Sequence, residues 1–414
     1  MLLIYLGLLV LTTTVFCELA AKKEWLPYWV SRKILHVVAV GSCAVAVYDS
    51  DIPNLYRPTL TYIASGATVL LLFLIFFGGL MKEESGRKPW GIVWFPLAFS
   101  ILLFSRQGGP AIAYFMAILA ICDPAATIAG KLLSKPKTST PTTLDAVLIQ
   151  SNKVSKSIKP SGQYTLTGDV KTITGSIAFF VSFLILSALF PAVEFSWGAD
   201  SALPSLINPV QAYGWPSIIL LGLFLTLGEA LGSKGLDNLI IPLLAWLLTA
   251  HMFRSESISN IIQLLPFALL FYVITTRRKS LTVGGAITAA LLGILVSLYT
   301  GPEWLIPLIL FFASSSLIGK FLPAHLAAGD AKQKQPRDAT QVLANGMIYG
   351  IIAISMWSGY RVIKLFTDQP GILLLIAAAI ATADTWSSEI GQYFKLPTYD
   401  LVKFRKVPPG LSGG

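Results

Sequence analysis

The sequence predicts an all-α, polytopic transmembrane bundle of about thirteen spans in two tandem halves. Apolar segments long enough to span or nearly span a bilayer recur from end to end. Only 13% of residues are charged and mean hydropathy is +0.69, whereas soluble domains carry about 25% charged residues. Basic residues collect in alternate loops, as the retention of Lys and Arg on the cytoplasmic side demands.

Taken in order, segment 2–19 lacks the basic start and small-residue cleavage site of a signal peptide, so it reads as an anchor that stays. Segment 34–47 is entered through Arg32, Lys33 and His36. Segments 59–80 and 91–105 flank a polar stretch, and 110–130 carries an acid, Asp123, near its end. A polar insertion at 134–168, rich in Ser, Thr, Lys and Pro, reads as a flexible loop before segment 172–190. Segments 217–231 and 238–252 bracket a short loop. Segments 259–275, 284–299, 303–319, 342–360 and 371–390 complete the chain.

With the N-terminus outside, loops 20–33, 81–90, 131–171, 232–237, 276–283, 320–341 and 391–414 face inward and hold 26 of the 31 Lys and Arg. Loop 191–216 holds none. The expected protein is therefore a multi-pass protein of the cell membrane, with any chemistry of these loops on the cytoplasmic face. The net charge of +10 belongs to this topology rather than to a nucleic-acid-binding domain. Cys17, Cys43 and Cys122 show no CxxC pair and no zinc spacing.

An acid inside an apolar span costs about 2.5 kcal/mol or more on insertion scales and is a functional candidate by default. Asp123 and Gly130, seven residues apart, share a helix face, and Lys131 follows at the rim. An acid for magnesium, a small residue for close approach and lysines suit a triphosphate. The plain alternative is that Asp123 only caps the helix end or pairs with a lysine. In "TGDVKTITGSIAFF" (167–180), Lys171 precedes Gly175-Ser176, where a turn at a helix N-terminus would offer N–H groups to phosphate. In "GEALGSKGLDNL" (228–239), Glu229, Lys234, Asp237 and Asn238 gather at another loop; the plain alternative is an N-cap Asp237 paired with Lys234. No Walker loop, GxGxxG fingerprint or Ser/His/Asp order is present.

Arg32-Lys33-x-x-His36, Asp123-Pro-Ala-Ala-x-x-x-Gly130-Lys131, Lys171-x-x-x-Gly175-Ser176, and Glu229 with Gly235-Leu-Asp237-Asn238 together resemble the dolichol kinase and phytol kinase family over residues 1–275. That family is related to the phosphatidate cytidylyltransferases. The resemblance implies a membrane enzyme that uses CTP and a divalent metal, Mg2+, to phosphorylate a lipid alcohol. It implies metal ligands Asp123, Asp237 and Asn238, with Glu229 assisting. Phosphate would be held by Lys131, Lys171, Lys234, Gly130 and the Gly175-Ser176 turn, and the lipid headgroup would lie near Arg32 and His36. This sequence departs from the family pattern at Cys122, where glycine is usual, and at Thr174, where glutamate is usual.

Residues 276–414 resemble a different integral membrane family that includes plant phytyl-phosphate kinase. The resemblance rests on "RDATQVLANG" (337–346), "ATADTWSSEIG" (381–391) and "KVPPGLSGG" (406–414). It implies a second site with Arg337, Asp338, Asn345, Asp384, Glu389, Lys406 and Gly410, acting on a prenyl monophosphate. Asp384 to Gly391 repeats the seven-residue spacing of Asp123 to Gly130, and Lys406 to Gly410 the four of Lys171 to Gly175. The spacings argue for a distant repeat. Because an apolar helix follows Gly175-Ser176 and none follows Gly410, the second half reads as lacking a C-terminal membrane segment. The expected activity is transfer of phosphate from CTP to a prenol-type lipid. A cytidylyltransferase making a CDP-lipid is the alternative, and a transporter the alternative of another class.

Overall fold

A computed structural model describes residues 2–48, 51–77, 90–105, 107–133, 162–190, 209–252, 255–321, 335–357, 369–394, 397–400 and 405–407. Nine helices among them are long and apolar enough to cross a membrane; shorter apolar helices lie at Gly91–Phe104, Ile173–Leu189, Asp237–Thr249 and Pro302–Ile318. The chain is a multi-pass helical membrane protein. The expected flexible insertion lies largely outside the described residues, as do residues 191–208 of the loop expected to be external (191–216), and Gly410.

The chain divides into two compact units, Met1–Phe253 and Arg254–Gly414. The first contains α1 (Leu2–Lys22), α2 (Tyr28–Tyr48), α3 (Asp51–Phe77), α4 (Gly91–Phe104), α5 (Gly109–Leu133), α6 (Ile173–Leu189), α7 (Pro209–Leu231) and α8 (Asp237–Met252). The second contains α9 (Ser255–Arg277), α10 (Val283–Thr300), α11 (Leu305–Phe321), α12 (Ala339–Trp357) and α13 (Pro370–Phe394). Segment 259–275, which the resemblance over residues 1–275 grouped with the first half, is the core of α9 and packs on α10 in the second unit.

Helix α5 organises the first unit. It packs on α2, α4, α6 and α8, and every residue from Gly109 to Ala120 is buried. Its sequence suits a helix surrounded by helices: Ala111, Ala113, Ala117 and Ala120 let neighbours approach, while Tyr114, Phe115 and Met116 fill the gaps. Tyr114 Oη meets Ser187 Oγ of α6 at 2.6 Å, so its buried hydroxyl is satisfied. By contrast α1 turns Ile4, Leu8, Leu11 and Val15 outward, which in lipid is the favourable side for them.

The helical bundle carries two short hairpins besides its helices. Strand β1 (Gln163–Thr165) pairs antiparallel with β2 (Val170–Thr172), and β3 (Thr398–Asp400) with β4 (Arg405–Val407). Both hairpins lie in polar segments outside the apolar helices, where backbone groups must find partners by local pairing or from water. In the second unit the backbone of Leu281 and Arg337 forms an isolated parallel bridge, and Val296, Tyr349, Ala353, Leu374 and Ala378 build the core.

Candidate functional site

Asp123 lies on α5, 4% exposed. Its Oδ2 accepts from Lys33 Nζ of α2 at 2.7 Å and stands 3.5 Å from His36 Nε2. Lys33 and His36 are three residues apart, one helical turn on the same face of α2. His36 Nε2 is also 3.2 Å from the Leu119 carbonyl. A carbonyl only accepts, so this contact calls for the proton on Nε2; in the neutral ring Nδ1 then keeps its lone pair.

A second ionic group adjoins the first. Lys171 Nζ, from β2, is 2.6 Å from Glu229 Oε1 at the end of α7 and 3.2 Å from Asp237 Oδ2, the first residue of α8. Burial opposes the Lys171 ammonium, but the carboxylates of Asp237 and Glu229 outweigh burial, with Asp123 adding to them, and hold its pKa above the usual lysine range. Asp237 therefore pairs with Lys171 rather than with Lys234, because loop 232–236 turns the Lys234 side chain to solvent. The backbone N–H of Lys234 donates to Asp169 Oδ2 at 2.7 Å instead.

These contacts join the starts of α2 and α8 to the ends of α5 and α7 through the hairpin. The Asn238 side-chain amide adds the start of α4, donating to the Gly91 carbonyl at 2.9 Å. Gly235, at φ 78°, lies where a Cβ would collide with Gly91, so glycine is needed there for conformation and for space. Lys33, Gly91, Lys171 and Asp237, which stand at the ends of four loops expected on one side of the membrane, thus all take part in these contacts of the first unit.

The glycine-serine segment differs from its sequence reading. Helix α6 begins at Ile173, with Thr172 as N-cap, and Gly175 N–H donates to Thr172 Oγ1 at 3.0 Å. Gly175 therefore lies within the first turn, and its N–H is taken by the cap. A Cβ on Gly175 would meet the Ala126 carbonyl at 2.8 Å, and one on Gly130 would meet Thr172 Oγ1 at 2.7 Å. These two glycines let α5 and α6 approach. Ser176 Oγ bonds Tyr164 Oη at 2.5 Å. Burial raises the Tyr164 hydroxyl pKa, with the Ser176 bond opposing. Lys131 is exposed and lies over the Trp29 ring, 4.3 Å from its centroid; Arg32, one helical turn after Trp29, is also exposed.

The group sums to two lysines against three carboxylates, and among the described residues buried Glu229 Oε2 has no hydrogen-bond partner. An orphaned carboxylate oxygen in a net negative cluster favours a cation. Among the described residues no three His, Cys, Asp or Glu come together at metal-ligand spacing. Magnesium takes one or two carboxylates plus water and phosphate oxygens rather than an all-protein cage. Glu229 and Asp237 fit that demand. Asp123 is held by Lys33, and the Asn238 amide nitrogen by Gly91.

In the second unit Arg337, Gln341 and Asn345 share one side of a cavity of about 190 Å³, otherwise walled by apolar side chains such as Phe267, Leu292 and Phe312. Burial lowers the Arg337 pKa while Glu389, 3.9 Å away, opposes. Asp338 caps α12: its Oδ1 accepts from Gln341 N–H and Gln341 Oε1 accepts from Asp338 N–H, a reciprocal capping box. Asp384 and Lys406 are exposed, on α13 and β4.

Residues 266–414 match the model of an integral membrane protein family, DUF92. The DUF92 match begins inside α9 and runs through the rest of the second unit, including its cavity and hairpin. No solved structure matches the chain.

Sequence reasoning missed Lys33 as the partner of Asp123, although its spacing to His36 signals a shared face. It also missed Tyr164. "QYTLTGDVKT" alternates around Gly168-Asp169, a hairpin signal that the search for helices passed over.

Proposed function

We propose that the first unit is a CTP-dependent kinase of a membrane lipid alcohol, and that the second acts on an anionic amphiphile such as the monophosphate product. The observation that carries the reading is the uncompensated Glu229 Oε2 in a buried cluster of three acids and two lysines at one face of the bundle. Ion pairs that only stabilised the bundle would gain nothing from an unpaired carboxylate oxygen.

Glu229 and Asp237 would hold magnesium, which when bound supplies charge neutralisation to the nucleotide phosphates. Lys171 would trade part of its hold on the carboxylates for phosphate oxygens. Lys33 keeps Asp123 fixed and ionised. Asp123 and the Leu119 carbonyl orient His36, leaving Nδ1 as the ring atom able to take the alcohol proton. The alcohol oxygen bonds to the γ-phosphorus, the bond from that phosphorus to the β–γ bridging oxygen breaks, and CDP leaves. Catalysis of this kind is chiefly positioning and charge neutralisation. In the second unit the apolar cavity would accept a hydrocarbon chain, with Arg337 near its anionic head.

The test is to supply purified protein with CTP labelled at the α- or γ-phosphate and a panel of prenols, prenyl phosphates and phosphatidate. Label from the γ position in the lipid is the expected result. Label from the α position would make the protein a cytidylyltransferase, and intact protein that transfers neither would favour transport.

A further inference from the structure

Helices α5 and α13 belong to different units, yet each is 25 residues long. Each places its aspartate fifteenth, Asp123 or Asp384, and a glycine twenty-second, Gly130 or Gly391. Both are followed by an antiparallel hairpin of three-residue strands. In the first hairpin Tyr164 stands opposite Lys171; in the second Tyr399 stands opposite Lys406. Each pair is central in its strands, and directly opposed residues of an antiparallel ladder point to the same face. A one-residue change in either loop or register would break the correspondence. What differs is the connection: residues 134–162 separate α5 from its hairpin, while only 395–397 separate α13 from its own.

We infer that residues 370–407 repeat the construction of 109–172, and that Lys406 is the phosphate-binding ammonium of a second polyphosphate site in this chain. The chemical class of the ligand, a nucleoside triphosphate, rests on the kinase reading of the first unit; the repeat itself does not. The two lysines stand in different electrostatic settings. The Lys171 side chain is 18% exposed and already meets two carboxylates, whereas Lys406 is exposed. An exposed ammonium on a short, paired strand offers its charge to an incoming anion without first giving up a buried partner. The repeat also gives Asp384, exposed on its helix, the position that Asp123 holds in the first unit.

The test is equilibrium dialysis of the full chain, in detergent with magnesium, against labelled CTP and separately against labelled inorganic pyrophosphate. Two equivalents per chain are expected, falling to one in Lys406→Met and to one in Lys171→Met. Because Lys406 is exposed, Lys406→Met should keep the wild-type thermal midpoint, so a lost equivalent there is not a folding defect. One equivalent per wild-type chain, or two that Lys406→Met leaves intact, would overturn the second site. Two equivalents of pyrophosphate with no CTP bound would keep the repeat and sink the nucleotide reading. Binding of neither would sink both.

Discussion

Lys171 and Glu229 meet at 2.6 Å although 58 residues separate them in the chain. Their contact ties the hairpin to the end of α7, and Asp237 extends it to α8. Removing only the lysine would leave two partly buried carboxylates without their cation. Breaking a buried pair from one side costs about 3–5 kcal/mol. Lys171→Met should therefore lower the thermal midpoint clearly, and Lys171→Met combined with Glu229→Gln should recover part of the loss. A double variant no more stable than the single one would show that the pair is not the source of the effect.

The raised pKa of Lys171 has a direction in pH. A lysine held above its unfolded value contributes stability that is fully present below that value, roughly 10.4, and is lost as pH rises through the higher folded value. Between pH 6 and 9 the contribution should be constant. Acetylation at pH 8.5, followed by peptide mass spectrometry, should modify Lys22, whose side chain is 72% exposed, long before Lys171 at 18%. Equal rates would contradict the ion-paired state.

Asp123→Asn should keep the protein inserted but reduce phosphotransfer by at least about 100-fold, since several kcal/mol of charge organisation go with the carboxylate and each 1.36 kcal/mol is tenfold. Lys153→Ala, in the insertion, should be nearly silent. Steady-state label transfer from CTP decides both, and a fully active Asp123→Asn protein would remove this residue from the site.

The membrane orientation is open to direct chemistry. Single cysteines at Ser155 and Ser201, placed in a background without Cys17, Cys43 and Cys122, should react from opposite sides of a sealed cell. One impermeant reagent labelling both would refute the loop assignment and with it the placement of the site at the inner face.

In the second unit Gly346→Leu should crowd the cavity that Gly346 lines with Leu292, where an added Cβ already meets Leu292 Cδ2 at 2.5 Å. Use of a prenyl monophosphate should fall while prenol phosphorylation by the first unit persists. Parallel loss of both activities would break the assignment of the two steps to two units.

Helices were legible in the sequence because hydrophobic runs report burial in lipid directly. The short apolar helices α4, α6 and α8 were legible for the same reason, despite falling below the about 20 residues of a full crossing. The hairpins were not, since three-residue strands in polar segments leave almost no periodic signal and are fixed by what they pack against. Acids in apolar surroundings, Asp123 and Glu229, announced themselves by their cost. Their partners did not. Lys33 looks like any basic residue beside a span, and only the fold brings it across from α2 to α5. Gly130 and Gly175 were seen as phosphate contacts but serve a close helix approach, a distinction that depends on Thr172 being the cap.

The ion pairs of the first unit carry an order in time. Lys33 precedes Asp123 by 90 residues, and Lys171 precedes Glu229 by 58 and Asp237 by 66. During synthesis each acid therefore reaches the bilayer after the cation it will meet has been made. A carboxylate entering lipid alone would face the full penalty of burial; this order lets Asp123 and Glu229 meet lysines that are already part of the chain. The reverse gene order, with the acids upstream, would ask the insertion machinery to hold three unpaired charges until translation caught up.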